Sequence, residues 1–302
     1  MKKHINDPIL LSPVCKDIIW GGDRLAREFG KGDGKTERIA ETWELTVRED
    51  AVNVIDSGSM KGEKLSELYG TENFPVLIKF IDAKQDLSVQ VHPNDKYASE
   101  NEGDLGKTEM WYVIDATQGA QLVYGLREGV SKEDFKKAVD ENKIGECLNY
   151  VDVHKGDVFF IPAGCVHAIG GGILIAEIQQ SSNVTYRVYD YDRGRELHIK
   201  KALDVIDLRS ADEIEKIRYS CADEISDGLL ADCDIFRVEK KNSVNLKEIK
   251  GSRDKFLHLL VISGKGRLGS LDVQAGSSIL LPIGCERVEL DGEFEFLLTF
   301  IK

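Results

Sequence analysis

The sequence lacks the features that mark secreted, membrane and disulfide-rich proteins. Its N-terminal segment MKKHINDPILLSPVCKDIIW has no long apolar run, because Asp7, Pro8 and Pro13 interrupt it. We therefore expect neither a secretion signal nor a membrane span, and predict a cytoplasmic protein. The six cysteines lie far apart without a Cys-x-x-Cys pair, which predicts reduced thiols rather than a disulfide framework. They are Cys15, Cys147, Cys165, Cys221, Cys233 and Cys285.

The chain also lacks an excess of positive charge. Its net charge of −13 disfavours binding to nucleic acid or to an anionic membrane, since the long-range field repels polyanions. A small phosphorylated ligand stays possible, because it needs only two or three local cations. The loop GKGDGK from Gly30 to Lys35 lacks the GKS or GKT ending of a phosphate-binding loop, and an ordinary turn is the better interpretation.

What the sequence does contain is a repeat. VHKGDVFFIPAGCVHAI begins at Val153 and VQAGSSILLPIGCERVE begins at Val273; we call these the first and the second copy. The residues shared by the two copies are Gly156 and Gly276, Pro162 and Pro282, Gly164 and Gly284, and Cys165 and Cys285. His167, however, becomes Arg287, and an alignment of the upstream strands sets Glu109 opposite Leu257. A structural role would be needed twice, so this asymmetry indicates chemistry in the first copy alone.

The rest of the chain reads as short strands separated by turns. Of its 302 residues, 42% are hydrophobic and 31% charged, as in soluble globular proteins. Ser131 to Lys143 predicts a capped amphipathic helix, ELHIKKALDVID predicts a second helix, and residues 211 to 228 look like a charged connector. Many short strands favour a mainly β fold, and duplication favours two barrels or sandwiches. We expect two domains: residues 1–210, which carry the catalytic metal site, and residues 229–302, which lack it.

Four side chains in the first part of the chain form a candidate metal site. Residues two apart on a strand face the same way, so Gln90 and His92 should project together, with Glu109 on another strand and His167 after a Pro-Ala-Gly turn. Two imidazoles, a carboxylate and an amide suit zinc, while iron, manganese or cobalt would accept the same ligands. Taken singly, each residue has a plainer interpretation: a backbone-bonded His92, a surface ion pair of Glu109 with Lys107, and a solvent-facing His167.

These residues also carry a resemblance to a known family. Gly156, Pro162, Gly164 and His167 match the second motif of the cupin barrels. SVQVHP, GKTEMWYVI, IPAGCVHAI and SSNVTYRVYDYDR resemble, in order, signature segments of the type I mannose-6-phosphate isomerases in their short bacterial form, and WGG and FPVLIKFIDAKQDLSVQVHP strengthen the match. The resemblance spans roughly residues 10 to 200, and the C-terminal third resembles a degenerate cupin. Gln-x-His replaces the His-x-His of many cupins, a change typical of this isomerase family.

The resemblance implies two cupin-type (jelly-roll) β-barrels and one Zn²⁺ per chain. It implies metal ligation by Gln90, His92, Glu109 and His167, an active-site arginine at Arg187, and further active-site positions at Lys107 and Glu177. Ser88 and Arg193 match positions that would hold the substrate phosphate. The implied activity interconverts mannose 6-phosphate and fructose 6-phosphate through a cis-enediol, in a monomer or homodimer of carbohydrate metabolism. A metal-binding sugar sensor without turnover and an iron-dependent cupin oxygenase are the alternatives.

Overall fold

The structure is a computed structural model that describes residues 6–35, 38–72, 74–219 and 228–302. Most of its elements are strands, as predicted. In chain order they are β1 (Ile9–Ser12), β2 (Val14–Lys16), β3 (Glu41–Leu45), β4 (Val47–Arg48), β5 (Ala51–Val52), β6 (Val54–Ile55), β7 (Val76–Ala83), β8 (Val89–Val91), β9 (Glu109–Ala116), β10 (Gln121–Leu126), β11 (Leu148–Asp152), β12 (Val158–Ile161), β13 (His167–Ala168), β14 (Ile173–Gln180), β15 (Tyr186–Tyr189), β16 (Leu229–Asp232), β17 (Phe236–Asn242), β18 (Glu248–Lys250), β19 (Leu257–Leu268), β20 (Leu271–Gln274), β21 (Ser278–Leu281) and β22 (Arg287–Ile301).

Short helices lie between the strands. The α-helices are α1 (Arg24–Phe29), α2 (Ser66–Tyr69), α3 (Asp95–Asn101), α4 (Lys132–Asp140), α5 (Ile199–Val205) and α6 (Ala211–Glu215), and the 3₁₀ turns are Gly58–Met60, Ile144–Glu146 and Lys216–Tyr219. The chain forms two compact units. Unit 1 takes its described residues from Met1–Asp17, Asp23–Phe80 and Tyr219–Lys302, and unit 2 consists of Ile18–Gly22 and Ile81–Arg218.

Unit 2 contains two sets of antiparallel strands. In one set β9 lies between β12 and β14, and in the other the order is β11, β10, β13, β8 and β15. Val89 and Val91 of β8 enter a hydrophobic core that also holds Phe135 of α4 and Ala202 of α5. Because side chains alternate along a strand, this burial turns Gln90 to the opposite face. The core of unit 2 thus sets which side chains of β8 can reach the candidate site.

The predicted helices of unit 2 are confirmed, and the predicted connector is corrected. Helix α4 begins after Ser131, whose hydroxyl accepts from the Asp134 backbone N–H while the Asp134 carboxylate accepts from the Ser131 N–H. Helix α5 lies inside ELHIKKALDVID. Residues 211–219, expected as a charged connector, instead form α6 and a 3₁₀ turn, because Ser210 and Glu213 make a second capping box. Residues 220–227 of that connector lie outside the described residues, as does Cys221.

Unit 1 is built on the paired strands β19 and β22. The sheet runs β16, β17, β22, β19, β21, β1 and β6, and a core of alternating apolar side chains from β19, β21 and β22 lies on one face. Ile9 and Leu10 of β1 pair with Leu280 and Ile279 of β21. Residues near the N-terminus therefore fold with the C-terminal strands, and the compact units differ from the predicted division into 1–210 and 229–302. Strand pairing depends on sheet edges meeting in space, which sequence order does not reveal.

The backbone confirms the repeat. Glu109 pairs with Ile161, the residue before Pro162, while Leu257 pairs with Leu281, the residue before Pro282. The Gly156 N–H donates to the Val113 carbonyl and the Gly276 N–H to the Val261 carbonyl, at equivalent places. All four repeated glycines have left-handed φ values, between 87° and 93°. Such values favour glycine, which explains why these residues recur while the ligands do not.

Five cysteines lie in the described part of the chain, all of them as free thiols. Cys147, Cys165, Cys233 and Cys285 are buried free thiols, and Cys15 is an exposed one. Burial raises the pKa of Cys165 to about 12, so this thiol stays protonated. In the part of the chain that the structure describes, no helix has the length and apolar character that crossing a bilayer requires.

We expect a large stability effect at a buried ion pair in unit 1. Lys31 Nζ lies 2.7 Å from Glu44 Oε1 and donates to the Gly276 carbonyl at 2.5 Å. Replacing Lys31 by Met leaves the Glu44 carboxylate buried without its cation, which should cost about 3–5 kcal/mol. Thermal and urea unfolding of Lys31→Met would measure the loss. Lys136→Met, which removes an exposed i,i+4 pair with Asp140, should change stability by under about 0.5 kcal/mol; equal losses would contradict a special role for burial.

Candidate metal centre

Three strands of unit 2 carry the candidate metal ligands. Gln90 lies in β8, with His92 just beyond its end, Glu109 begins β9 and His167 begins β13. His167 pairs directly with Gln90 across β13 and β8. The hydrogen bond from the Gly164 N–H to the His92 carbonyl fixes the turn before His167 beside β8. The Pro-Ala-Gly turn of the first copy thus brings His167 to the predicted neighbours.

His92, Glu109 and His167 converge, and we call these three residues the ligand group. One ligand atom from each lies within 4.8 Å of the other two. His92 Nε2 is 3.3 Å from Glu109 Oε1, and His167 Nε2 is 3.9 Å from Glu109 Oε2. All three side chains are buried, with 1% or less of each residue exposed. Burial excludes the plain interpretations of Glu109 as a surface ion pair and His167 as a solvent-facing loop residue.

Backbone carbonyls fix the tautomer of both histidines. His92 Nδ1 lies 2.8 Å from the Val184 carbonyl, and His167 Nδ1 lies 3.0 Å from the Cys165 carbonyl. A carbonyl only accepts, so each Nδ1 carries the proton and each Nε2 keeps its lone pair when the ring is neutral. The backbone contact expected for an isolated His92 is therefore present, and it orients the ring as a ligand. Such outer contacts typically hold metal-binding imidazoles in place.

The charges around the ligand group favour the protonation states that a metal needs. Burial, followed by the neighbouring Lys107 ammonium, lowers the pKa of His92 to about 3. Burial also lowers the pKa of His167. Burial by itself would raise the pKa of Glu109, but the Lys107 ammonium and the two imidazoles outweigh it and hold that pKa well below its ordinary value. Neutral imidazoles and an ionised carboxylate are thus ready to bind a cation.

The surroundings of Glu109 Oε1 also suit a divalent cation. Among the described residues Glu109 Oε1 accepts no hydrogen bond, although it is fully buried. The Lys107 ammonium lies 2.5 Å from that oxygen as an ion pair, but the contact does not have hydrogen-bond geometry. The charge of Lys107 compensates that oxygen in this structure, and a divalent cation bound at the same oxygen would supply the same compensation. Two nitrogen ligands and one oxygen ligand without thiolate suit zinc and several other divalent metals.

Gln90 also reaches the ligand group, with its amide nitrogen directed at His167. Gln90 Nε2 lies 3.3 Å from His167 Nε2 and donates to it, while the Ser88 hydroxyl donates to Gln90 Oε1 at 3.4 Å. To bind a metal through oxygen, the Gln90 side-chain amide would have to rotate by a half-turn. This rotation exchanges the positions of Oε1 and Nε2 and leaves the backbone in place. The structure therefore brings Gln90 to the ligand group, and its role as a ligand stays a prediction.

Two of the other predicted site residues stand beside the ligand group. Lys107 is buried, and its Nζ donates to His92 Nε2 at 3.0 Å. Arg187 pairs with Gln90 across β15 and β8. Its Nε donates to the Ser88 hydroxyl at 3.2 Å and its Nη1 donates to the Glu196 carbonyl at 3.0 Å. Ser88, Gln90 and Arg187 therefore form one connected row next to the ligand group.

Arg193 lies against the loop that precedes β8. It donates to the Asp86 carbonyl at 2.7 Å and to Gln85 Oε1 at 3.4 Å, and its guanidinium lies over the Tyr191 ring at 5.2 Å. These hydrogen bonds within the described residues connect Arg193 to the loop before β8 rather than to Ser88. A role in phosphate binding therefore stays a prediction for both residues.

Glu177 joins the site through a residue that the sequence interpretation missed. Glu177 is buried in β14, and its Oε2 accepts from the Trp111 indole N–H at 2.9 Å. The same indole N–H lies 3.2 Å from Glu109 Oε2. Trp111 had a signal in the sequence, since it lies two residues after Glu109 and so shares its strand face. Its apolar surroundings in EMWYVID fit an ordinary core residue equally well.

Comparison with known proteins agrees with this geometry. The family model described as phosphomannose isomerase type I, catalytic domain, matches residues 9–119. Mannose-6-phosphate isomerase ManA of Bacillus subtilis (strain 168) is 39% identical, with 98% of this chain and 99% of that protein covered. Mannose-6-phosphate isomerase of Streptococcus mutans serotype c (strain ATCC 700610 / UA159) is 36% identical, with 97% of this chain and 98% of the relative covered.

Solved structures give the same result. The mannose 6-phosphate isomerase from Bacillus subtilis superposes with a TM-score of 0.83 at 31% identity, covering 97% of this chain and 99% of that one. The apo mannose 6-phosphate isomerase from Salmonella typhimurium has a TM-score of 0.75 at 15% identity, covering 99% and 100%, and supports the fold alone. Together with near full-length identity well above 30%, these likenesses show that the chain belongs to the mannose-6-phosphate isomerases, a family of aldose–ketose isomerases.

Proposed function

We propose that this protein interconverts mannose 6-phosphate and fructose 6-phosphate through a cis-enediol, using one bound divalent metal, with zinc as the first choice. The observation that carries the proposal is the convergence of His92, Glu109 and His167, with Lys107 and Arg187 beside them, in a member of this isomerase family. The reaction moves a proton between C1 and C2. It needs a proton carrier, stabilisation of an oxygen that becomes negative, and a hold on the phosphate.

The ligand group would hold the metal, with Gln90 as the proposed fourth ligand. When bound, a divalent cation supplies Lewis-acid stabilisation of negative charge on the substrate oxygens. The rest of the chemistry belongs to the chain's own residues. Because the site holds no thiolate, cobalt, manganese or iron could replace zinc with the same donors.

Lys107 and Glu177 are the proposed proton carriers. The Lys107 ammonium lies among the ligand atoms, 3.0 Å from His92 Nε2, so it can donate a hydrogen bond or a proton to a sugar oxygen bound there. Glu177 offers a second carboxylate near Glu109, with the Trp111 N–H between them. A carboxylate and an ammonium within one buried site provide both a proton acceptor and a donor for transfer between adjacent carbons.

Arg187 is proposed to stabilise charge on the substrate. Its guanidinium is always cationic, and two hydrogen bonds hold it in one orientation beside Gln90. Ser88 and Arg193 are proposed to hold the phosphate, since a hydroxyl and a guanidinium supply neutral and charge-assisted hydrogen bonds. A phosphate bound there would compete with the present contact of Arg187 on Ser88 and with that of Arg193 on the Asp86 carbonyl.

A coupled assay with and without metal tests the proposal. We expect the protein to interconvert the two sugar phosphates, to lose more than about 99% of this activity after chelation and dialysis, and to regain it when zinc or cobalt is added. A panel of related aldose phosphates and an anaerobic repeat separate the alternatives. A sugar sensor would bind without turnover, and an oxygenase would require oxygen. Absence of isomerisation by the metal-restored protein would reject the function.

Two further properties belong to the proposal. We propose a cytoplasmic location, which the free thiols support because that compartment keeps cysteines reduced. We also propose that the protein is a monomer or homodimer whose partner is a small sugar phosphate rather than nucleic acid or a membrane. The net charge of −13 supports the exclusion of polyanionic partners.

A further inference from the structure

A single indole N–H lies between two buried carboxylates at the candidate metal centre. Trp111 Nε1 donates to Glu177 Oε2 at 2.9 Å and to Glu109 Oε2 at 3.2 Å. The backbone arranges this contact, because Trp111 pairs directly with Glu177 across β9 and β14 and lies two residues beyond Glu109 on the same strand. The Trp111 ring also packs edge-on against the His167 ring, with centroids 5.3 Å apart. Trp111 thus touches both metal ligands that the second copy lacks.

Packing alone does not account for this arrangement. Trp111 is 1% exposed, so its N–H must find a partner within the protein, but one acceptor would satisfy it. Sharing the N–H instead links two buried carboxyl groups through one donor. A phenylalanine would fill most of the same space and remove the hydrogen-bond donor that both carboxyl groups share.

The two oxygens of Glu109 consequently differ. Oε2 accepts from the indole N–H, whereas Oε1 faces His92 Nε2 at 3.3 Å and the Lys107 ammonium at 2.5 Å. A carboxylate held through Oε2 can rotate little about its terminal bond, so Oε1 stays directed at His92 and Lys107. Outer-sphere hydrogen bonds of this kind orient ligands and tune metal affinity.

We infer that Trp111 is a positioning residue of the metal site: its indole N–H holds Glu109 so that Oε1 is the ligand oxygen, and holds Glu177 beside it. This inference extends the proposed function, and the part that concerns Glu177 rests on that function. The role of Trp111 toward Glu109 can be measured by metal binding alone, without any turnover.

Trp43 provides a matched control. It lies two residues after Glu41 on β3, is 4% exposed, and donates its indole N–H to Glu41 Oε2 at 2.8 Å. Trp43→Phe therefore removes the same kind of hydrogen bond, at the same strand spacing, from a carboxylate outside the ligand group. A general cost of losing a buried indole would appear in both variants.

The experiment compares Trp111→Phe and Trp43→Phe with the parent protein. Metal-free samples are titrated with Co²⁺, whose visible absorption reports coordination, and Zn²⁺ affinity is measured by competition with a chelating dye. We expect Trp111→Phe to bind both metals about 10- to 100-fold more weakly. Its cobalt spectrum should change, and kcat at saturating metal should fall with little change in KM. Trp43→Phe should match the parent in spectrum and affinity.

Unchanged metal affinity and an unchanged cobalt spectrum in Trp111→Phe would overturn the inference, as would equal changes in Trp43→Phe. If Trp111→Phe does not fold, 3-benzothienylalanine at residue 111 keeps the bicyclic shape and removes only the N–H donor, and the same criteria apply. A parent protein that binds metal but isomerises no sugar phosphate would reject the proposed function while leaving the affinity comparison valid.

Discussion

His167→Ala should remove both metal binding and turnover, while Arg287→Ala at the equivalent place in the second copy should change neither. His167 is 1% exposed and its Nε2 lies 3.9 Å from Glu109 Oε2, so alanine deletes one of the two proposed imidazole ligands. Mutation of a residue that only hydrogen-bonds to a metal ligand typically lowers metal affinity about 10- to 100-fold. Removal of a proposed ligand should cost more, and we expect metal affinity to fall at least about a thousandfold. Metal content after dialysis and the coupled isomerase assay measure the two effects.

Arg287 is a sound control because its surroundings differ. Its side chain is 60% exposed and pairs with Glu248 at 3.0 Å, an interaction of small energetic value. His167→Gln serves as a second variant if the alanine protein does not fold, since glutamine keeps part of the volume and cannot reproduce the imidazole. Similar losses at residues 167 and 287 would show that the two copies share the chemistry, and the assignment of function to the first copy would fail.

The second copy has an apolar residue where the first copy has part of the ligand group. Leu257, equivalent to Glu109, is 3% exposed and belongs to a hydrophobic cluster with Cys285 and Val288. The apolar side chain thus extends the core at the place where the first copy keeps a charged one. The strand register and glycine turns are the same in both copies, so the backbone does not require the ligands.

The sequence predicted the ligand group because strand geometry is regular. Gln90 and His92 follow the period of two, and the repeated Gly and Pro residues fix the turn that carries His167. Glu109 could be assigned only by contrast with Leu257, since a lone glutamate two residues from a lysine has many plain explanations. The aligned pairing of Glu109 with Ile161 and Leu257 with Leu281 confirms that comparison.

Long-range pairing and shared hydrogen bonds could not be predicted in the same way. Leu10 of β1 meets Ile279 of β21 across more than 260 residues, and no local pattern encodes that choice of sheet edge. The shared N–H of Trp111 depends on the register of β9 with β14, which sets the indole opposite Glu177. The missed helix α6 is different, since Ser210 and Glu213 are a local signal that the charged composition obscured.

Lys107→Met should separate catalysis from metal binding. The Lys107 ammonium lies 2.5 Å from Glu109 Oε1 and 3.0 Å from His92 Nε2, so it repels any cation held by the same atoms. Methionine has a similar length without the charge, and metal affinity should therefore stay equal or rise. Turnover should fall by about a thousandfold, because removing a proton carrier or a charge-stabilising donor typically costs 10²- to 10⁴-fold.

Lys31→Met is the matched control for a buried lysine. Lys31 contacts Glu44 and the Gly276 carbonyl in unit 1, and neither residue is a candidate site residue. The Lys31→Met protein should therefore lose stability but keep its activity below its melting temperature. Zinc content, the cobalt spectrum and kcat are measured for both variants and the parent. Turnover within tenfold of the parent in metal-loaded Lys107→Met would remove Lys107 from the mechanism and leave Glu177 as the proton carrier. Loss of metal together with activity would instead make Lys107 a structural residue, because a lysine that only repels the metal cannot be needed to bind it.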